Sequence, residues 1–421
     1  MDHLEGFLNF VEQSPTAFHS TANLADALKE QGFRELKETD PWLVDAGGRY
    51  YVIRNDSAII AVAVPETGFG PFRMVAAHGD SPTFKLKPHF EERTSEGYTR
   101  LNVEKYGGMI MYSWMDRPLS VAGRLAVREG DRAVSRLVDL GRDAVLIPSL
   151  PIHFNRDVND GFAFNPQVDL MPLYGDASAA GGLLSELAEA AGVDQEDILG
   201  HDLFLYSRLP AAVWGADKAF FSCSRIDDLE CAWACMRAFS ESASQSMIHV
   251  CAVFDNEEVG SLSRQGADSD FLRNVLTRVG LSLGASWEEL LSAFSAGFMI
   301  SADNAHALHP NRADAFDKQN RVYMNKGVVI KHNANQKYTT DALTGAEFEL
   351  LCRGAEVPVQ HFANRSDQRG GSTLGNLANS HVSMPTLDIG LAQLAMHSLV
   401  ETAGVKDLEY LLRAMASYWE R

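Results

Sequence analysis

The chain has 421 residues, 46% of them apolar and 22% charged, which suits a globular protein of two or three domains and excludes a disordered one. Its 37 basic residues are outnumbered by 56 acidic ones, a net charge of −19 that repels nucleic-acid phosphates and anionic membranes. The five cysteines (Cys223, Cys231, Cys235, Cys251 and Cys352) include no CxxC pair, so they form neither a disulfide framework nor a zinc knuckle and suit a reducing cytoplasm.

The opening Met1-Asp2-His3-Leu4-Glu5 has no basic stretch followed by an apolar core, so no signal peptide is expected. Leu4, Phe7, Leu8 and Val11 recur at helical spacing before Ser14-Pro15, and a second helix is predicted over 20–31, stopped by Gly32. Strands over 50–53 and 58–64 flank Asn55-Asp56, and the run 59–64 is far too short to span a bilayer. A short buried strand, 74–77, leads straight into His78-Gly79-Asp80. From about His89 short alternating segments dominate, such as 109–112 and 119–127. A Pro-, Asn- and Asp-rich stretch over 147–172 follows, then a short helix near 183–189. These predict a mostly β insertion over 89–221.

The α/β pattern returns with a helix at 229–240, where Cys231 and Cys235 pack inward. Strands follow at 247–254, 298–302, 328–330, 357–362 and 383–389, and helices at 348–353, 391–402 and 406–419. The fold class is therefore α/β: a central mixed sheet flanked by helices, built from 1–88 and 222–421 and interrupted by the insertion.

Strand 247–254 ends in Asp255-Asn256-Glu257-Glu258-Val259-Gly260. In an open α/β sheet, ligands bind outside the strand ends. Adjacent carboxylates repel unless a cation lies between them or one is protonated. The pair reads as one metal ligand, Glu258, beside one general base, Glu257; it reads equally as a solvated acidic turn. His78/Asp80, Asp227/Asp228, Asp303/His306 and His397 are polar clusters at other strand ends or on a helix that follows one. Together they meet the need of a two-metal hydrolytic site: His and carboxylate ligands for ions about 3.5–4 Å apart, a bridging carboxylate, and an unligated carboxylate to take a proton from water. Asp80 can accept from the ring N–H of His78 and fix its tautomer, or serve as a plain turn carboxylate.

Ala76-Ala77-His78-Gly79-Asp80-Ser81-Pro82, Ser224-Arg225-Ile226-Asp227-Asp228-Leu229, Phe254 to Ser261, Ser301-Ala302-Asp303-Asn304-Ala305-His306 through Asn311, and Gln393-Leu394-Ala395-Met396-His397-Ser398 carry a resemblance. In this order, and over essentially the whole chain, they resemble the aspartyl aminopeptidase family of di-zinc metallopeptidases. The resemblance implies a cytoplasmic aminopeptidase with two Zn2+ per subunit, Co2+ or Mn2+ being able to substitute. His78, Asp227 and Asp303 would hold one zinc, and Asp227, Glu258 and His397 the other. Glu257 would be the general base, with Asp80 supporting His78. Lys331, in Gly327-Val328-Val329-Ile330-Lys331, would receive an acidic side chain of a peptide substrate, with Tyr338 seven residues on. His153 would reach a neighbouring subunit's site. The same resemblance implies a tetrahedral dodecamer built from dimers, with the insertion as the dimerisation domain.

Three departures stand out. Gly79 replaces a usual Thr, Asp228 replaces a usual Asn and adds a second candidate bridge, and 106–112 follows the family's segment only loosely. Two other functions fit the same ligands: a related two-metal deacylase or carboxypeptidase, and a metal-binding or cargo protein without catalysis. The filled positions of Glu257 and all five ligands stand against the second.

Overall fold

The computed structural model describes residues 2–244, 246–368 and 370–421. A nine-stranded mixed sheet organises the larger unit. Its strands run in the order Arg34–Glu35, Arg49–Arg54, Ala58–Ala63, Ile248–Phe254, Phe72–His78, Phe298–Ala302, Thr386–Gly390, Val328–His332 and Val359–Ala363. Four neighbouring strands at its centre, Ile248–Phe254, Phe72–His78, Phe298–Ala302 and Thr386–Gly390, are mutually parallel.

Both faces are covered, which is why these strands read as near-continuous apolar runs. Side chains alternate between two cores, as strand geometry requires. Val75 and Ala77, with Cys251 and Val253, pack under the helices Asp2–Gln13, Ala17–Glu30, Ile226–Ser240, Ala342–Gly354 and Asp407–Glu420. Met74 and Ala76, with Val250 and Ala252, face Phe271–Ser282, Trp287–Ser295 and Leu374–His381 on the other side. Each fully buried Val, Ile or Leu contributes about 1.5–3 kcal/mol.

The second unit is antiparallel. Its strands run in the order Ile198–Ser207, Thr83–Arg93, Tyr98–Tyr106, Leu173–Asp176, Val145–Leu146, Pro118–Glu129 and Arg132–Asp139. Ile198–Ser207 also pairs with Pro118–Glu129, so the sheet closes into a barrel around Phe84, Leu101, Leu119, Leu125 and Leu203. A third, five-stranded sheet joins Ala212–Trp214, Phe220–Cys223, Glu401–Gly404, Ala392–Leu394 and Ala305–His306.

Two expected elements take other forms. The helix expected over 391–402 is instead the strands Ala392–Leu394 and Glu401–Gly404, paired with each other around a tight loop. Pairing with Ala305–His306 and Phe220–Cys223 overrides the helix propensity of Leu, Ala and Met. Ala395 and His397 lie at φ +58° and +68°, outside any helix. The segment 109–112, expected to alternate as a strand, ends in the 3₁₀ turn Met111–Trp114. Its Ile110 N–H donates to the carbonyl of His397 at 2.9 Å, so the segment props that loop.

Candidate metal centre

The parallel strands deliver their C-terminal residues to one edge. Phe254 is in register with His78, and Ser301 with Ala76, so Glu257/Glu258, His78/Asp80 and Asp303 leave the sheet side by side. Gly390 permits the close approach on the far side: a Cβ there would lie 2.0 Å from the carbonyl oxygen of Asp303. Asp227 comes from the mouth of the helix Ile226–Ser240, where it and Asp228 have non-helical dihedrals. His397 comes from the tight loop, not from a helix as expected.

Among the described residues, three groups of side chains offer ligand atoms within 4.8 Å of one another: His78, Asp227 and Asp303; Asp227, Glu258 and His397; and His78, Glu257 and Glu258. The first two share Asp227. Both rings are oriented alike. Nδ1 of His78 faces the carbonyl of Asp80 at 3.1 Å, and Nδ1 of His397 faces the carbonyl of Gly108 at 2.9 Å. A carbonyl only accepts, so Nδ1 carries the proton in each, and Nε2 is the atom turned to the carboxylates. Nε2 of His397 lies 3.3 Å from both Asp227 and Glu258, and Nε2 of His78 lies 3.6 Å from Asp227.

So much buried acid is electrostatically unfavourable without a cation. Burial pushes the carboxyls of Glu257 and Glu258 up, to about 8 and about 7. Burial works against charge on His397 as well, yet Asp227 and Glu258 raise its ring to about 11. Asp227 Oδ1, Asp228 Oδ1 and Glu258 Oε1 are buried without any hydrogen-bond partner. Orphaned acceptors of this kind need a donor or a metal ion. Carboxylate oxygens mixed with two imidazole nitrogens fit zinc, whereas calcium and magnesium favour all-oxygen cages.

Asp80 faces His78 twice: its main-chain carbonyl lies 3.1 Å from Nδ1 of the ring and its carboxylate Oδ1 3.4 Å from the same atom. The carboxylate also accepts the backbone N–H groups of Glu257 at 3.1 Å and Glu258 at 3.2 Å, fixing the glutamate turn. Tyr106, at the end of a barrel strand, donates its hydroxyl to the same carboxylate at 2.6 Å and accepts from the Asn256 amide at 2.8 Å. Asp228 belongs to none of the three groups; its Oδ2 accepts the backbone N–H of His78 at 3.2 Å.

Lys331 is buried, 2% exposed. Its ammonium donates to the main-chain oxygens of Asp303 at 2.7 Å and Asn304 at 3.3 Å, lies 3.3 Å from Asp303 Oδ2, and sits over the ring of Tyr338 at 5.2 Å. His153 is exposed on a barrel loop and belongs to none of the three groups. Two residues at this centre escaped the sequence reading. Tyr106 ends an alternating strand just before Gly107-Gly108, and Glu401 is the lone acid that opens a four-residue strand.

A family profile for the aminopeptidase I zinc metalloproteases (M18) matches residues 10–419. A probable M18 family aminopeptidase 2 of Clostridium novyi is 41% identical over 421 residues, 98% of this chain and 97% of its own. Among solved structures, a chain of the Ape4–Nbr1 complex has a TM-score of 0.95 at 36% identity, covering 99% of this chain and 85% of that one. The S. cerevisiae mApe1 dodecamer gives a TM-score of 0.88 at 27% identity, covering 99% of this chain and 96% of that one.

Proposed function

The chain belongs to the aminopeptidase I zinc metalloprotease (M18) family and is a metallo-aminopeptidase, and from that premise we propose that it uses two zinc ions per subunit to remove N-terminal residues, Asp and Glu by preference. Family membership sets aside the deacylase, carboxypeptidase and non-catalytic readings. The observation that carries the two-ion reading is the pair of triads sharing Asp227. Zinc, when bound, supplies Lewis acidity to the scissile carbonyl and its developing oxyanion, several kcal/mol of help. Glu257 takes the proton of the attacking water and returns it to the leaving amine. Asp80, steadied by Tyr106, holds Glu257 and Glu258 by their backbone N–H groups and so keeps base and ligand in register.

Lys331 is the residue proposed to read an acidic first side chain. Its charge is already shared with Asp303, so it serves both the ligand and the substrate. The test is a panel of aminoacyl reporters with free and acetylated N-termini, run before and after chelation and with Zn, Co or Mn added back. Asp and Glu reporters are expected to be cut fastest, acetylated ones not at all, and chelation to stop the reaction reversibly. Neutral residues cut faster than acidic ones would remove the preference. In Lys331→Ala, the acidic reporters should lose about 10-fold or more relative to neutral ones, the scale of one desolvated charge-assisted hydrogen bond. Equal losses on both would leave Lys331 as a prop for Asp303 alone.

For assembly, the barrel loop around His153 exposes Leu150, Ile152 and Phe154, the last at 80%. Such an apolar patch marks a contact surface. With the mApe1 dodecamer as the precedent, the proposal is a cytoplasmic tetrahedral dodecamer built from dimers joined through the barrel, with His153 reaching a neighbour's centre. No helix among the described residues is long and apolar enough to cross a membrane. A particle sedimenting as a single 46.2 kDa chain would remove the assembly.

A further inference from the structure

Glu401 lies directly under the metal centre, 2% exposed; Asp227, His397 and Arg225 are among its charged surroundings, and among the described residues no lysine or arginine pairs with it directly. A carboxyl group buried without a cation is unfavourable unless its lone pairs are fully taken up. Here three N–H donors converge on it. Oε2 accepts the backbone N–H of Asp227 at 3.0 Å; Oε1 accepts the backbone N–H of His397 at 2.7 Å and the side-chain amide of Gln393 at 3.2 Å. Gln393 in turn accepts from the Asn304 amide at 2.7 Å, next to Asp303.

The two backbone donors belong to segments far apart in sequence. Asp227 has non-helical dihedrals at a helix mouth, and His397 sits at φ +68° in a tight loop. Neither N–H is engaged in a helix or a strand ladder; both end on this one side chain. The side chains of the same two residues meet at 3.3 Å on the other side of their backbones.

We propose that Glu401 is a positioning residue that sets the spacing of Asp227 and His397, and thereby the affinity of the zinc position they share with Glu258. It acts through their backbones and touches neither substrate nor metal. This rests on the two-zinc reading above.

The test compares full-length wild type, Glu401→Gln and Glu401→Asp by zinc content, metal-buffered zinc titration and thermal unfolding. Gln keeps the size but puts a donor against a donor. Asp keeps the charge but is one methylene too short to hold both N–H groups. Wild type is expected to bind two zinc ions. Each variant should keep one of them at wild-type affinity and bind the other about 10- to 100-fold more weakly, the range for losing a partner that orients a ligand. Excess zinc should restore kcat, with KM unchanged. Wild type binding a single zinc would overturn the two-zinc reading itself. Two zinc ions at unchanged affinity in both variants, or equal weakening of both positions with a lowered unfolding temperature, would overturn the role of Glu401 while leaving that reading in place.

Discussion

Glu257→Gln is expected to retain its zinc and lose about 10³-fold in kcat, with KM little changed, within the range for removing a general base. That factor corresponds to about 4 kcal/mol of transition-state stabilisation. The substitution keeps the size of the side chain and removes only its ability to take a proton. The backbone N–H of residue 257 still reaches Asp80 at 3.1 Å, so the turn survives. Glu257 also stands within ligand distance of His78 and Glu258, which supplies a competing role. Zinc content separates the two. A variant that loses metal in step with activity makes Glu257 a ligand, and one with normal turnover removes it from the reaction.

Asp227→Asn should be worse, because both triads contain Asp227. Zinc affinity is expected to fall at both positions by more than about 100-fold, since loss of a partner that merely orients a ligand already costs 10- to 100-fold. Activity should drop to background. The unfolding temperature should also fall at fixed zinc concentration, because metal bound only to the native state stabilises it. His397→Ala is the contrast: it removes one triad and should cost one zinc. If Asp227→Asn keeps two tightly bound ions, or if the two variants lose metal equally, Asp227 is not the shared ligand.

The neighbourhood of the centre explains how much of it was visible beforehand. Phe72–His78, Ile248–Phe254 and Phe298–Ala302 are buried on both faces, so each reads as an apolar run that turns abruptly polar. The polar residues at those breaks, His78, Glu257, Glu258 and Asp303, are therefore findable by pattern. His397 was found by motif but placed on the wrong element. Its loop is held by the barrel's Gly108 and Ile110 and by sheet pairing, none of which leaves a local mark. Tyr106 and Glu401 were missed for a related reason. Each acts in part through a hydrogen bond to a distant residue, Tyr106 to Asp80 and Glu401 to Asp227, and single bonds of that kind have no period.

The sequence by itself determined the class of this protein, because apolar periodicity and abrupt polar breaks follow from which strand faces are buried and where strands end. It also put forward the candidate ligands His78, Asp227, Glu258, Asp303 and His397, through the family resemblance that its motifs carry. Tertiary structure alone decided which atoms do the holding. The carboxylate of Asp80 holds the glutamate turn as well as facing His78, Lys331 is tied to Asp303, and Glu401 anchors two backbones at once. Those assignments depend on angstrom-scale distances between distant segments, which packing of the two units sets and no local pattern encodes.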